Sequence, residues 1–144
     1  MVQQGIQSPT ERREVEDLRG RFINRNPGEV VALVQGLYYL LTGIWPLASM
    51  RTFMMVTGPK TDVWLEKTVG VLAAVIGGVL ESAGSRRKIT REIHALGIAS
   101  AAGFAMIDLV YVLKRRITPV YLLDAAAEIG LAAAWARAWV RRLS

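Results

Sequence analysis

The sequence predicts an all-α protein: an integral-membrane four-helix bundle that follows a short polar or amphipathic helix. The chain has 144 residues, of which 52% are apolar, and its mean hydropathy is +0.29. A stretch such as 69–80 is apolar on every side, whereas helices of a soluble bundle carry a polar face. The apolar residues gather into four segments that are each about as long as the ~20 residues needed to cross a bilayer, namely 30–50, 63–83, 93–113 and 120–140.

Residues 1–29 form a polar N-terminal arm, and residues 30–144 form the predicted membrane domain. The arm contains Ser-Pro-Thr-Glu at 8–11, which is typical of a helix start with a serine cap, proline in the first turn and a glutamate that reaches back. A short helix over 10–22 is therefore expected, on the membrane surface or solvated beside it. Its apolar side would carry Val15, Leu18 and Phe22.

Local signals also place the membrane segments. Asn-Pro-Gly-Glu at 26–29 predicts the start of the first span, and Pro46 is expected to kink or end it. The stretch 51–57 is too short to cross and is expected to lie in the interface. A turn at 57–62 precedes the second span, and Thr118-Pro119 is expected to cap and open the fourth.

The distribution of basic residues predicts that both termini are cytoplasmic. Twelve of the eighteen Lys and Arg residues lie in the arm, in the loop between the second and third spans, or near the C-terminus. The other six lie at the opposite ends of the spans, and basic residues concentrate on the cytoplasmic side. The expected location is the bacterial inner membrane, with the lipid bilayer as the main partner.

Acidic residues lie inside the predicted spans, near their outer ends. At ~1.5 Å per residue, Glu66, Asp108 and Asp124 lie ~6–9 Å below these ends, and Glu128 lies one turn deeper. Charged residues at such depths are costly and normally face the bundle interior or a cavity. The expected polar cluster adds two counter-charges and two tyrosines on the same helix faces: Arg51, Glu66, Lys67, Asp108, Tyr111, Tyr121, Asp124 and Glu128.

Two interpretations of this cluster remain open. In the first, the carboxylates line an outward cavity that binds a small polar or cationic molecule, or relays protons, as in a binding or transport-accessory protein. In the second, they form ion pairs that hold together a structural subunit of a membrane complex or homo-oligomer. Four carboxylates facing two cations disfavour full ionisation, which motivates the first interpretation, although structural networks crowd charges in the same way.

Several other functions lack support in the sequence. There is no cysteine and only one histidine, His94, so neither a metal site nor a redox cofactor is expected. The net charge of +6 reflects basic loops beside apolar spans, which membrane orientation produces, and nucleic acid is not expected as a partner. An enzyme that uses paired carboxylates is the weakest alternative, because no catalytic motif accompanies them.

Three segments resemble the small bacterial four-helix membrane proteins grouped as DoxX-like. They are Gly-Leu-Tyr-Tyr-Leu-Leu-Thr-Gly-Ile-Trp at 36–45, Gly-Pro-Lys-Thr-Asp at 58–62 with Trp64, and the region from Asp108 to Asp124 with its Thr-Pro-Val-Tyr turn. The resemblance covers roughly residues 30–140. It implies an inner-membrane location and no particular activity, although some members of the group are subunits of quinone-linked redox complexes.

Reporter fusions test the predicted orientation. A reporter after Ser144 should read cytoplasmic and one within 59–61 should read periplasmic, because the basic loops stay inside. A cytoplasmic N-terminus together with a cytoplasmic C-terminus also requires an even number of crossings. A C-terminal reporter that reads periplasmic would contradict the four-span topology, and reversal of both signals would contradict the orientation.

Overall fold

The computed structural model describes residues 8–143, except for the side chains of Leu18, Arg19, Arg21, Phe22, Ile23 and Leu143. Within this range the chain is helical and contains no strand. The elements are α1 (Pro9–Ile23), α2 (Pro27–Ala48), α3 (Met50–Thr57), α4 (Val63–Ser85), α5 (Arg91–Leu113) and α6 (Tyr121–Leu143).

Three of these helices, α2, α4 and α5, are long and apolar enough to cross a membrane. Their outward faces expose large apolar side chains, among them Leu41 (64%), Leu72 (58%) and Met106 (63%). Such faces fit a membrane-embedded protein that contacts lipid. Helix α6 has comparable length but carries two acids in its first two turns and three arginines near its end, so it does not belong to this apolar class.

The helix starts near the arm are confirmed. Ser8 and Glu11 form the predicted capping box of α1, and Asn26 and Glu29 form one at the start of α2. The predicted apolar side of α1 lies largely outside the described side chains, because only Val15 of its three members is described, and Val15 is exposed.

Two other boundaries differ from the predicted positions. Helix α2 continues two residues past Pro46 and ends at Ala48, after which the short helix α3 occupies the predicted interfacial stretch. Helix α6 begins at Tyr121, two residues after the predicted opening at Thr118-Pro119. The Thr118 hydroxyl donates to the Thr57 carbonyl at 2.9 Å, so it ties the start of α6 to the end of α3.

The bundle is built from two closely packed helix pairs, α2 with α4 and α5 with α6. Between α2 and α4, Gly36 and Gly43 face Gly77 and Gly70. A Cβ atom on Gly77 would lie 2.7 Å from the Gly36 carbonyl oxygen, and one on Gly70 would lie 2.6 Å from that of Gly43. Backbone therefore packs on backbone, as small residues permit between membrane helices.

The second pair is joined to α2 by a buried polar network. The Trp135 indole of α6 is fully buried, packs directly on Gly97 of α5, and donates its N–H to the Gln35 side-chain oxygen. The Gln35 amide nitrogen donates to the Gly97 carbonyl at 3.0 Å and to the Ser100 hydroxyl at 3.2 Å. The side-chain polar groups of Gln35 and Trp135 therefore all have hydrogen-bond partners, as buried polar groups normally do. The network orients three helices relative to one another.

Adjacent glycines of α4 provide a matched test of the α2–α4 contact. We expect Gly77→Ala to lower the free energy of unfolding by ~1–3 kcal/mol, because the added methyl group must push two backbones apart. A Cβ atom on Gly78 would have nothing within 4 Å, so Gly78→Ala should be neutral or slightly stabilising. Reversible unfolding in mixed detergent micelles measures the free energy of unfolding of both variants. Equal effects of the two substitutions would contradict the proposed contact.

Candidate functional site

The acidic residues of α5 and α6 come together beside two tyrosines of α2. Tyr39 donates a hydrogen bond to a Glu128 carboxylate oxygen at 2.8 Å, and both side chains are only 1% exposed. Tyr38 donates to Asp124, one turn earlier on α6. Two adjacent residues of α2 thus donate hydrogen bonds to two successive turns of α6.

Asp108 completes the group from α5. It is buried, at 6% exposure, and its carboxyl group lies close to that of Asp124. Its Oδ2 atom has no hydrogen-bond partner among the described residues. Two carboxylates that lie close together repel each other, so a counter-charge beside Asp108 and Asp124 would stabilise the pair.

A cavity of about 270 Å³ lies beside this group, between α2, α3, α4 and α6. Asp124 and Glu128 lie on its α6 wall, and Glu66 lies on its α4 wall. Aromatic rings form much of the remaining surface. The lining residues are Tyr38, Tyr39, Thr42, Gly43, Trp45, Pro46, Phe53, Thr57, Glu66, Val69, Gly70, Ala73, Phe104, Val120, Tyr121, Asp124 and Glu128.

Glu66 pairs with a lysine that was not among the predicted members of the cluster. The Lys60 ammonium lies 3.3 Å from the Glu66 carboxylate, donates to the Tyr121 hydroxyl at 2.8 Å, and lies 4.6 Å from the centre of the Tyr121 ring. Burial disfavours the charge on Lys60, but the contacts with Tyr121 and Glu66 outweigh it and raise the pKa of the ammonium above its ordinary value. Lys60 is therefore a charged residue that contacts two lining residues of the cavity, Glu66 and Tyr121.

The other predicted members lie away from this cavity. The side chains of Arg51 and Lys67 are exposed, and neither residue lines the cavity. Tyr111 is 46% exposed and has the Lys114 ammonium 5.7 Å from its ring centre. The structure thus brings together five of the eight predicted residues, Glu66, Asp108, Tyr121, Asp124 and Glu128, and leaves three outside.

Sequence reasoning missed Tyr39 and Lys60. Tyr39 follows Gln35 by four residues, and this spacing places both on one face of a helix. The sequence therefore contained a signal for Tyr39. Lys60 lies in the turn before α4, and no periodicity indicates which way a turn residue points. Among the described residues, no group of three His, Cys, Asp or Glu side chains is arranged to hold a metal ion.

Comparison of the chain with family models, with curated proteins and with solved structures gave no match. The resemblance to DoxX-like proteins therefore stays a prediction, and the function is argued from the geometry of the cavity alone.

The Lys60–Glu66 pair predicts a specific pH dependence. A raised pKa in the folded protein means that the stabilisation by Lys60 is fully present below the ordinary lysine pKa of about 10.4 and is lost only as the pH rises through the higher folded value. The difference in melting temperature between the wild type and Lys60→Met should thus stay constant from pH 7 to about 10 and shrink above it. Lys67→Met is the control. It removes the exposed charge of the residue that follows Glu66 and should change the melting temperature little. A difference that disappears by pH 8 would contradict the assigned role of Lys60.

Proposed function

We propose that this protein is a multi-pass bacterial inner-membrane protein that binds a small organic cation in the acidic cavity, as a binding or transport-accessory protein. In this proposal α6 is the fourth span and both termini are cytoplasmic, so the cavity lies in the periplasmic half of the bilayer. Support for α6 as a span comes from its length of 23 residues and from its packing against α5. Its two acidic residues, Asp124 and Glu128, accept hydrogen bonds from tyrosines of α2.

The charge balance of the cavity carries this proposal. Three carboxyl groups line it, contributed by Glu66, Asp124 and Glu128, and the lysine beside them is already paired with Glu66. The hydrogen bonds to Asp124 and Glu128 come from neutral tyrosine hydroxyls, which do not compensate a negative charge. A bound cation would supply the missing charge in a site where unpaired ions are costly.

The walls of the cavity indicate what kind of cation fits. Rings such as Tyr38, Trp45, Phe53 and Phe104 line it, and aromatic faces attract ammonium groups by cation–π interaction. The volume of about 270 Å³ is just below the ~300–1,000 Å³ of sites for drug-sized ligands. An alkylammonium or small quaternary ammonium ion therefore matches the site better than an inorganic ion or a large substrate.

A structural role is the second candidate. The observation that favours it is that Asp124 and Glu128 each accept a hydrogen bond from α2, which joins the two helix pairs of the bundle. On this alternative the cavity is incidental, and the carboxyl groups serve a subunit of a larger membrane complex. The two candidates differ in whether an added ammonium ion binds.

Calorimetric titration with tetraethylammonium and n-butylammonium tests the proposal, with n-pentanol as an uncharged counterpart and the protein held in zwitterionic nanodiscs. The ammonium ions should bind and n-pentanol should bind much more weakly. Glu128→Gln keeps the size of the side chain and an acceptor for Tyr39 but removes the charge. Because a hydrogen bond or contact to a charged group is worth ~1.5–3 kcal/mol, this variant should bind at least about tenfold more weakly.

Glu92→Gln is the matched control, since Glu92 is exposed at the other end of the bundle, in the first turn of α5. It should bind both ammonium ions as the wild type does. Absence of ammonium binding to the folded wild type, or equal binding by Glu128→Gln, would contradict the proposed function. A loss of stability in Glu128→Gln without any ammonium binding in the wild type would favour the structural role.

A further inference from the structure

A second cavity, of about 280 Å³, lies at the opposite end of the bundle from the acidic cavity. It is formed where α2 begins, where α4 and α5 are joined, and where α6 ends. Arg87, Arg141 and Arg142 line it, together with Glu29 and His94. This cavity is separate in place and opposite in charge from the site described above.

Positive charge predominates in this second cavity. Arg141 and Arg142 place two guanidinium groups on the cavity against one carboxylate, that of Glu29, which is engaged locally. The two Glu29 side-chain oxygens accept hydrogen bonds from Asn26, one from its backbone N–H at 3.3 Å and one from its side-chain amide at 3.4 Å.

The fold holds the arginines in place around the cavity. Arg142 donates to the Ile89 carbonyl at 3.0 Å, which ties the last turn of α6 to the loop between α4 and α5. Arg87 lies in that loop with a φ of 55°, a left-handed conformation that is uncommon for a residue other than glycine. Between them, the His94 ring is 8% exposed and packs edge-on to Trp135 with ring centres 4.8 Å apart.

The level of the cavity matches the interface between lipid and water. Val30 of α2 and Val140 of α6 lie next to it along their helices and are 44% and 63% exposed, as expected for side chains that face lipid. Trp139 lies at the same level, with its ring centre 4.7 Å from that of His94, and tryptophan is enriched at membrane interfaces. The arginines are therefore placed where lipid headgroups lie.

We propose that this second cavity binds a phosphate ester, as found in the headgroup of an anionic phospholipid. Guanidinium groups bind phosphate oxygens through paired N–H donors, and basic pockets at the cytoplasmic ends of membrane helices are suited to lipid headgroups. Arg141 and Arg142 supply the charge from α6. Phosphate in solution has the same chemistry, so the experiment separates the two sources.

Native mass spectrometry of the protein in a neutral detergent tests this site by titration with dioleoylphosphatidylglycerol, dioleoylphosphatidylcholine and glycerol phosphate in separate arms. The wild type should retain phosphatidylglycerol more strongly than phosphatidylcholine. Arg141→Gln should lower the affinity for the first phosphatidylglycerol molecule by about fivefold, which corresponds to the loss of one basic residue near an anionic lipid. Arg142→Gln is measured in parallel, so the test does not depend on the folding of one variant.

Arg137→Gln is the matched control, because Arg137 lies one turn earlier on α6, is exposed, and does not line the cavity. It should bind phosphatidylglycerol as the wild type does. Binding of glycerol phosphate at the same arginines, with the same loss in Arg141→Gln, would support the phosphate chemistry and assign its source to solution. Equal retention of the two lipids, or equal losses in Arg137→Gln and Arg141→Gln, would overturn the proposal in favour of diffuse surface charge.

Discussion

The hydrogen bonds from Tyr38 and Tyr39 to Asp124 and Glu128 are the interaction on which the interior of this protein depends. A carboxyl group inside an apolar bundle is costly unless a donor satisfies it, and here the donors come from adjacent residues of one helix. Because α2 also packs backbone-to-backbone on α4, these two bonds connect the α2–α4 pair to the α5–α6 pair. The same bonds fix the wall of the acidic cavity, so the packing of the bundle and the shape of the candidate site have a common origin.

The molecule has opposite chemistry at its two ends. One end has carboxyl groups and aromatic rings around a cavity, and the other has arginines around a second cavity at the proposed headgroup level. Between them lie the glycine contact of Gly36 with Gly77 and the network of Gln35, Trp135 and Gly97. This middle region is close-packed, and the polar groups of its network are paired. This close-packed centre separates two polar cavities of opposite charge.

Much of the fold could be predicted because its signals are local. The capping sequences at Ser8 and Asn26 placed two helix starts, and the apolar segments placed α4 and α5 to within two residues at each end. The carboxyl groups of α5 and α6 could be assigned to one interior face, since charge inside an apolar helix must be sheltered. These inferences use only spacing along one helix and the cost of exposing a charge to lipid.

The partners of those groups could not be predicted, because partner choice depends on how helices meet. The sequence suggested Arg51 and Lys67 as counter-charges, since both lie at the same end of the bundle as Glu66. In the structure both are exposed, and the turn before α4 brings Lys60 to Glu66 instead. The stripe of small residues on α4 was visible in the sequence, but its exact contacts with Gly36 and Gly43 depend on the rotation of α2 about its own axis.

A double-mutant cycle on Tyr39→Phe and Glu128→Met tests most directly whether the bond between α2 and α6 organises the bundle. Each variant removes one partner of the hydrogen bond and nearly keeps the volume of its side chain, and reversible unfolding in mixed micelles measures the free energies of unfolding. Both groups are fully buried, so we expect a coupling energy of about 0.6 kcal/mol or more, since double-mutant cycles on hydrogen bonds between membrane helices average ~0.6 kcal/mol and reach ~1.7 kcal/mol. Effects of the two variants that add to within ~0.3 kcal/mol would indicate independent sites and would contradict the account.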